Sequence, residues 1–225
     1  KKPQLIGING SQGIGKSTLC AHLVKSFADR GIKAVSLSID DFYYTRNEQI
    51  ALAAKHADNP LLQERGYAGT HDIALGERVL RSLKNGEPTS VPVYNKSAHG
   101  GKGDRAPEKE WQKIDKSVDV VLFDGWMLGH RAVDSSGIQN PHIKEINEIL
   151  PQYDKWMNLL DGFIILAPEK AEYVLQWRVE AEEKMKAGGK AGMPKGVIEA
   201  YVKSFIPAYE TYLPGLLRND PIASA

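Results

Sequence analysis

Residues 10–17 read GSQGIGKS, and this stretch decides the fold of the chain. It follows the apolar run 5–8, which reads as a strand, and precedes an apolar helical stretch. A glycine-rich turn in this setting points backbone N–H groups at an anion, beside the positive end of the helix dipole. The pattern predicts a loop that binds the phosphates of a nucleoside triphosphate, with Lys16 on the β- and γ-phosphates and the Ser17 hydroxyl on Mg²⁺. The predicted nucleotide-binding residues are Gly10, Ser11, Gln12, Gly13, Ile14, Gly15, Lys16, Ser17 and Thr18.

The bulk composition predicts one α/β domain over residues 1–225 that acts on small molecules. The 225 residues, 42% of them hydrophobic, are enough for one well-buried core. The formal net charge of +1 gives no general attraction to nucleic acid or to an acidic membrane. We expect no nucleic-acid partner and no membrane association. The single cysteine, Cys20, excludes an internal disulfide and reads as a small core residue.

Four short apolar runs, at 5–8, 34–39, 118–123 and 162–167, have the composition of strands buried on both faces. Helical patterns over 16–29 and 73–83 lie between some of these runs. This alternation predicts a three-layer α/β phosphate-loop NTPase fold with a largely parallel sheet.

Two segments depart from the alternation. Residues 88–111 have little periodicity and read as a long polar loop, which in a compact domain is functional or disordered. Residues 169–187 read as a helix, the glycines that follow interrupt it, and a second helix is predicted over 196–217. A closing helical lid at about 169–195 and an ordinary helical hairpin both fit this pattern.

Carboxylates follow two of the predicted strands. Asp40 and Asp41 end the second, and Asp124 ends the third. In an open α/β sheet this edge faces the ligand, so a carboxylate there can accept the proton of an attacking hydroxyl or support Mg²⁺. If the backbone stays extended, the neighbours Asp40 and Asp41 point to opposite faces, and one of the two is structural. A simple capping role for both is the alternative.

Other nucleotide-dependent classes fit less well. The run Asn95-Lys96-Ser97-Ala98 lacks the aspartate with which guanine-binding switches read the base. Gly125 stands where a water-activating ATPase would carry a second acidic residue. Transfer to a hydroxyl is therefore favoured over hydrolysis.

Basic residues must then neutralise the transferred phosphoryl group and hold the acceptor. The candidates are Arg65, Lys96, Lys102, Arg105, Arg131 and Arg178.

Taken together, several segments resemble the D-glycerate 3-kinase family of plants, cyanobacteria and fungi, one of the phosphate-loop kinases grouped with phosphoribulokinase, uridine kinase and pantothenate kinase. The resemblance runs from Ile6 to about Leu216. It rests on GSQGIGKST, SIDDFYYT, NPLLQERGYAGTHD, VPVYNKSAHGGKGDR, VVLFDGWMLG, QWRVEAEEKMKAGGKAGM and IPAYETYLP.

The resemblance implies ATP and Mg²⁺ as cofactors and glycerate as the acceptor. It implies that Asp40 is the base, and that Lys16 and Arg178 are catalytic groups on the phosphates. Ser17, Asp40 and Asp124 are the implied metal-side residues. The implied acceptor-binding residues are Arg65, His71, Tyr94, Lys96 and Arg105.

Two positions depart from the family pattern: Asp124 replaces the usual glutamate, and Asn95 replaces the usual aspartate. The resemblance also leaves alternatives open, namely a sister kinase for a nucleoside, pantothenate or a sugar phosphate, and a regulatory nucleotide-binding protein without turnover. We expect a soluble monomer, in the chloroplast stroma if the source is a plant or alga and otherwise in the cytoplasm.

Overall fold

In the computed structural model, strand β1 (Gln4–Gly10) lies inside a four-stranded parallel sheet, between β7 (Val120–Gly125) and β8 (Gly162–Leu166), with β2 (Ala34–Ser38) on the far side of β7. The structure describes residues 2–115, 117–167 and 195–218, with isolated positions between 173 and 183. The other strands are β3 (Thr89–Val91), β4 (Tyr94–Asn95), β5 (Asp104–Arg105) and β6 (Gln112–Ile114). The helices described are α1 (Lys16–Ala28), α2 (Arg46–Lys55), α3 (Ile73–Asn85), α4 (Pro141–Ile149), α5 (Asp154–Met157) and α6 (Lys195–Arg218). Short 3₁₀ turns span Ile39–Phe42, Pro60–Leu62, Ala98–Gly101, Glu108–Glu110, Ser135–Gly137 and Leu150–Tyr153.

All four predicted sheet strands form, and all of their pairings are parallel. The third begins two residues later than predicted and extends through Gly125. In this register Asp124 lies opposite Ile8 of β1 and Ser38 of β2. The carboxyl ends of three strands therefore meet at one edge of the sheet, which is the edge where the glycine-rich loop begins.

The alternation of side chains along β1 divides the core between two faces of the sheet. Leu5 belongs to the larger apolar cluster, which includes the buried face of α3. Ile8 points the other way and packs with Cys20 of α1 and with Leu122. Cys20 is 1% exposed, which confirms its place in the core. Helices cover both faces of the sheet, and the three-layer prediction is correct.

The predicted polar loop over 88–111 is not a continuous loop. Strand β3 pairs with β6, and β4 pairs with β5, both antiparallel. These strands have two or three residues each. A strand this short leaves no readable alternation in the sequence. We call residues 89–114, from β3 to β6, the excursion. It is built from small paired strands and 3₁₀ turns.

Helix α6 confirms the helix predicted over 196–217, with one further residue at each end. Phe205 and Tyr212 on this helix are buried, and Phe205 stacks on Tyr67 with ring centroids 5.2 Å apart. The predicted lid at 169–195 lies outside the described residues, apart from the isolated positions and the first residue of α6. In the part of the chain described, no helix combines the length and the apolar character needed to cross a bilayer.

Trp156 is the largest fully buried side chain, and it packs against Phe42, Phe123 and the α3 backbone. Its indole N–H donates to the carbonyl of Ile73 at 2.9 Å. Helix α3 approaches the indole closely at Gly76, where an added Cβ would lie 2.4 Å from Trp156 Cζ2. Helix and ring can approach this closely only because residue 76 has no side chain.

We predict that Gly76→Ala lowers the free energy of unfolding by about 1–3 kcal/mol, because the methyl group overpacks a fully buried contact. Gly215→Ala is the matched control: this glycine also lies inside a helix, and an added Cβ there meets nothing within 4 Å. The control should stabilise by about 0.5–1 kcal/mol, because alanine favours helix. Urea unfolding measures both, and an unchanged Gly76→Ala protein would contradict the packing argument.

Candidate active site

The glycine-rich loop joins β1 to the start of α1, where no side chain caps the first N–H groups of the helix. Gly13 and Gly15 have φ values of 85° and 98°, in the left-handed region that favours glycine. Gly15 is the N-cap of α1, no side chain caps the helix, and its first turn carries no acidic residue. The N–H groups and the positive helix end are thus available to an anion. This geometry fits the phosphate-binding role predicted from the sequence.

Lys16 lies folded against the loop that carries it. Its Nζ donates to the carbonyls of Gly10 at 2.7 Å and Ser11 at 3.0 Å. Burial lowers the pKa of this ammonium group, while the charges of Asp124 and Asp40 act in the opposite direction. The positive charge of Lys16 therefore lies within electrostatic range of Asp124 and Asp40, two of the three carboxylates predicted at this sheet edge.

Asp124 is a buried carboxylate, 5% exposed, at the next-to-last position of strand β7. Burial raises its pKa to about 6; the Lys16 charge opposes this rise and the Asp40 charge adds to it. The Sγ atom of Cys20 lies 3.9 Å from Asp124 Oδ2. Asp124 thus lies close enough to Asp40 for their charges to repel each other, and its metal-binding role stays a prediction.

Asp40 is paired with a lysine from the excursion. Lys96 Nζ lies 2.5 Å from Asp40 Oδ2. Burial by itself would raise the pKa of Asp40, but the Lys96 ammonium, with smaller effects from His71 and a hydrogen bond to Tyr43, holds that pKa below its ordinary value. Asp40 is therefore ionised at neutral pH, the form that accepts a proton.

Asp41 has a different role from Asp40, although the reason given by the sequence was wrong. The chain does not stay extended after Ser38 but turns into the 3₁₀ segment Ile39–Phe42. The Asp41 carboxylate accepts a hydrogen bond from Ser38 N at 2.9 Å, and Ser38 Oγ accepts one from Asp40 N at 3.3 Å. This reciprocal cap orients Asp40 and leaves its carboxylate to Lys96.

Arg65 holds the excursion in place. Its guanidinium donates to the carbonyls of Gly101, Lys102 and Lys96, and it lies 5.5 Å from the centroid of the Tyr94 ring. Tyr94 is buried between this cation and Tyr43. The structure thus places Arg65 and Tyr94 beneath the segment that carries Lys96.

Arg105 pairs with two carboxylates, Asp72 at 3.2 Å and Glu48 at 3.4 Å. Its side chain is 11% exposed and lines a cleft of about 670 Å³ between the N-terminal ends of α2 and α3. Asp40 and the phosphate loop do not line that cleft. An acceptor-binding role for Arg105 stays a prediction.

His71 is fully buried, with its ring stacked on Tyr43 at a centroid distance of 4.4 Å. Burial lowers the pKa of His71 to about 3, against an opposing effect of the Asp40 charge. The ring is neutral at physiological pH. Arg178, the predicted lid arginine, lies outside the described residues.

Tyr209 of α6 is a contact residue of the phosphate loop to which the sequence analysis assigns no role. Its hydroxyl contacts Gln12 of the phosphate loop twice, once at the backbone N at 3.4 Å and once at the side-chain oxygen. The two residues are 197 positions apart, and no spacing pattern relates them. Helix α6 thus touches the phosphate loop directly.

The sequence of this chain matches the phosphoribulokinase / uridine kinase family over residues 5–156. With the phosphate loop, the parallel sheet and the two acidic strand ends in place, the chain belongs to this family.

Individual relatives extend the similarity to nearly the whole chain. A chloroplastic D-glycerate 3-kinase of Arabidopsis thaliana is 37% identical over 99% of this chain and 50% of the relative, so the chain spans half of that protein. An uncharacterized kinase of Schizosaccharomyces pombe is 36% identical over 97% of this chain and 83% of its own length. The solved structure of a D-glycerate 3-kinase from Cryptococcus neoformans superimposes with a TM-score of 0.86 at 30% identity, covering 96% of this chain and 80% of that chain.

We predict that Lys16→Met weakens the binding of ATP with Mg²⁺ by about 10- to 100-fold, the loss expected for charged hydrogen bonds to phosphate. Lys25→Met is the matched control, because Lys25 is an exposed lysine in the last turn of the same helix. Isothermal titration calorimetry on both variants measures the effect. Equal affinities in the two variants would remove Lys16 from the phosphate site.

Proposed function

We propose that this protein is an ATP-dependent kinase that transfers the γ-phosphoryl group to a hydroxyl of D-glycerate, giving 3-phosphoglycerate. One observation carries the proposal: an ionised carboxylate, Asp40, shares its sheet edge with the phosphate loop and is paired with an exposed lysine, Lys96. The names of the Arabidopsis and Cryptococcus relatives support the choice of glycerate.

In the proposed reaction, the loop and Lys16 hold the triphosphate, and Asp40 accepts the proton of the acceptor hydroxyl. The hydroxyl oxygen then bonds to the γ-phosphorus while the bond to the leaving ADP oxygen breaks. Positioning and charge neutralisation supply most of the rate in such transfers. Asp40 is ionised and can therefore accept this proton, and Lys96 beside it can hold the acceptor in place.

The residues present fit Mg²⁺. Ser17 follows Lys16 at the start of α1, and the raised pKa of Asp124 reflects burial together with a carboxylate repulsion that a divalent cation would relieve. We propose that Ser17 and Asp124 hold this ion, with Asp40 beside it. When bound, Mg²⁺ would neutralise charge on the phosphate oxygens.

Lys96 gives the site a preference for an acid acceptor. Its side chain is 59% exposed, whereas Asp40 is 24% exposed, so a small anion can approach the ammonium group from solvent. A carboxylate on the acceptor would bind this cation while its hydroxyl lies at Asp40. We also propose that residues 169–195 close over the nucleotide as a lid and that Arg178 then meets the phosphates.

An acceptor panel tests the function. We expect ADP release from ATP with D-glycerate, and little with pantothenate, uridine, a sugar phosphate or glycerol. The reason is that the single cation Lys96 favours a small acceptor that carries one carboxylate. Phosphorus NMR should identify the product as 3-phosphoglycerate. Lys96→Met should raise the KM for glycerate by about 10-fold or more, as the loss of a charged hydrogen bond predicts. Preferred turnover of another acceptor would replace glycerate, and stable ATP with every acceptor would favour a regulatory protein.

We predict that Asp40→Asn lowers kcat by about 10²- to 10⁴-fold, the usual contribution of a general base, while ATP still binds. Asp41→Asn is the matched control, because it changes the neighbouring carboxylate that caps the 3₁₀ turn. The control should keep turnover, because an asparagine side-chain oxygen can still accept the hydrogen bond from Ser38 N that orients Asp40. Steady-state kinetics with calorimetric ATP binding measures both, and normal turnover by Asp40→Asn would exclude Asp40 as the base.

A further inference from the structure

Tyr153 and His71 form a buried hydrogen-bonded pair next to the candidate active site. The Tyr153 hydroxyl lies 2.7 Å from His71 Nδ1, and it accepts a hydrogen bond from Gly69 N at 2.9 Å. Tyr153 is 3% exposed and His71 is fully buried. The two residues are 82 positions apart, and Tyr153 had no role in the sequence analysis.

These contacts decide which ring nitrogen carries the proton. A phenol has one proton to donate, and Gly69 N already acts as donor toward its oxygen. The phenol oxygen could accept a second hydrogen bond from His71, but its own buried proton would then have no acceptor among the described residues. Donation from Tyr153 to His71 Nδ1 satisfies both groups, so we assign Nδ1 as the acceptor. A neutral imidazole with an acceptor at Nδ1 has its proton on Nε2.

Among the residues that the structure describes, the Nε2–H group has no hydrogen-bond acceptor. His71 Nε2 is buried and has no hydrogen bond among the described residues. Because the two ring nitrogens face different directions, Nε2 lies on the ring edge away from Tyr153. A buried donor left unsatisfied is costly, which argues that this one serves an oxygen atom that binds there.

The surroundings of His71 connect it to the acceptor side of the site. His71 forms a β-bridge with Tyr43 and stacks on its ring, and Tyr43 follows Asp40 by three residues. The Asp40 charge acts on His71, so the two side chains lie within electrostatic range. His71 therefore lies in the same part of the molecule as Asp40, where its Nε2–H group can serve an oxygen bound on the acceptor side.

We propose that Tyr153 is a positioning residue that holds His71 as the Nε2–H tautomer, so that His71 presents a neutral donor to an oxygen of the acceptor acid, directly or through one water. This inference rests on the proposed function for the identity of the acceptor. In this assignment, Lys96 attracts the negative charge of the acceptor acid, and His71 orients one of the acid's oxygens without adding charge.

The tautomer can be measured without any activity. In protein labelled with ¹⁵N-histidine, long-range ¹H–¹⁵N correlation distinguishes the two neutral forms for each of the six histidines. The His71 signal is the one lost in His71→Gln. We expect protonated Nε2 in the wild type, and loss of that single form in Tyr153→Phe. Protonated Nδ1 in the wild type would overturn the inference, whether or not glycerate is the acceptor.

Kinetics test whether the pair serves the acceptor. His71→Leu should raise the KM for glycerate by about 3- to 10-fold, as expected for one neutral hydrogen bond, and leave the KM for ATP unchanged. Tyr153→Phe should change the same constant by a smaller factor. The double variant should match His71→Leu alone, because Tyr153 acts through His71. His71→Gln, which keeps an N–H donor, should recover part of the loss.

Tyr212→Phe is the matched control for the loss of a buried hydroxyl. Tyr212 is 2% exposed, and its hydroxyl donates to the Ile143 carbonyl at 3.3 Å. It should lose some stability with no change in the KM for glycerate. Additive effects in the double variant, or equal effects of Tyr153→Phe and Tyr212→Phe, would overturn the positioning role. A wild type inactive on glycerate would instead refute the proposed function and leave the tautomer measurement standing.

Discussion

The parallel pairing of β1 with β7, and of β7 with β2, is the constraint on which the rest of the molecule depends. This pairing brings Asp124 level with Ile8 and Ser38, immediately before the two strands open into the phosphate loop and the 3₁₀ turn. Because parallel strands end on the same side, groups from three distant segments share one edge. A shift of one residue in β7 would turn Asp124 toward the other face of the sheet.

Opposed electrostatic effects meet at this edge. Burial disfavours the charge on Lys16 and on Asp124, and each side chain favours the charge of the other. Burial also disfavours the charge on Asp40, but the nearby Lys96 charge compensates for this effect and keeps the pKa of Asp40 low. The result is a cation within electrostatic range of two carboxylates at a partly buried edge, where charge interactions are stronger than in open solvent.

In the proposed function, the excursion between α3 and β7 adapts the nucleotide site to an acceptor. Its strands are short, and Arg65 holds its turns through three backbone carbonyls. Lys96 projects from it to Asp40, and Tyr94 packs beneath it on Tyr43. An exposed lysine on a well-anchored segment can attract an anion while the carboxylate behind it stays fixed, which makes this segment the natural place for acceptor specificity in the proposed function.

The sequence by itself determined the sheet strands, the phosphate loop and the acidic strand ends, because a strand–glycine turn–helix motif and unbroken apolar runs are local signals. It overlooked the short strands between 88 and 114, which have no readable period, and it misjudged the backbone at Asp40 and Asp41, where a cap replaces the extended chain. Only the tertiary structure decided that Lys96 pairs with Asp40 across 56 positions, that Arg105 pairs with Asp72 and Glu48, and that Tyr153 bonds His71. Such partners depend on how distant segments pack, and no periodicity along the chain records that packing.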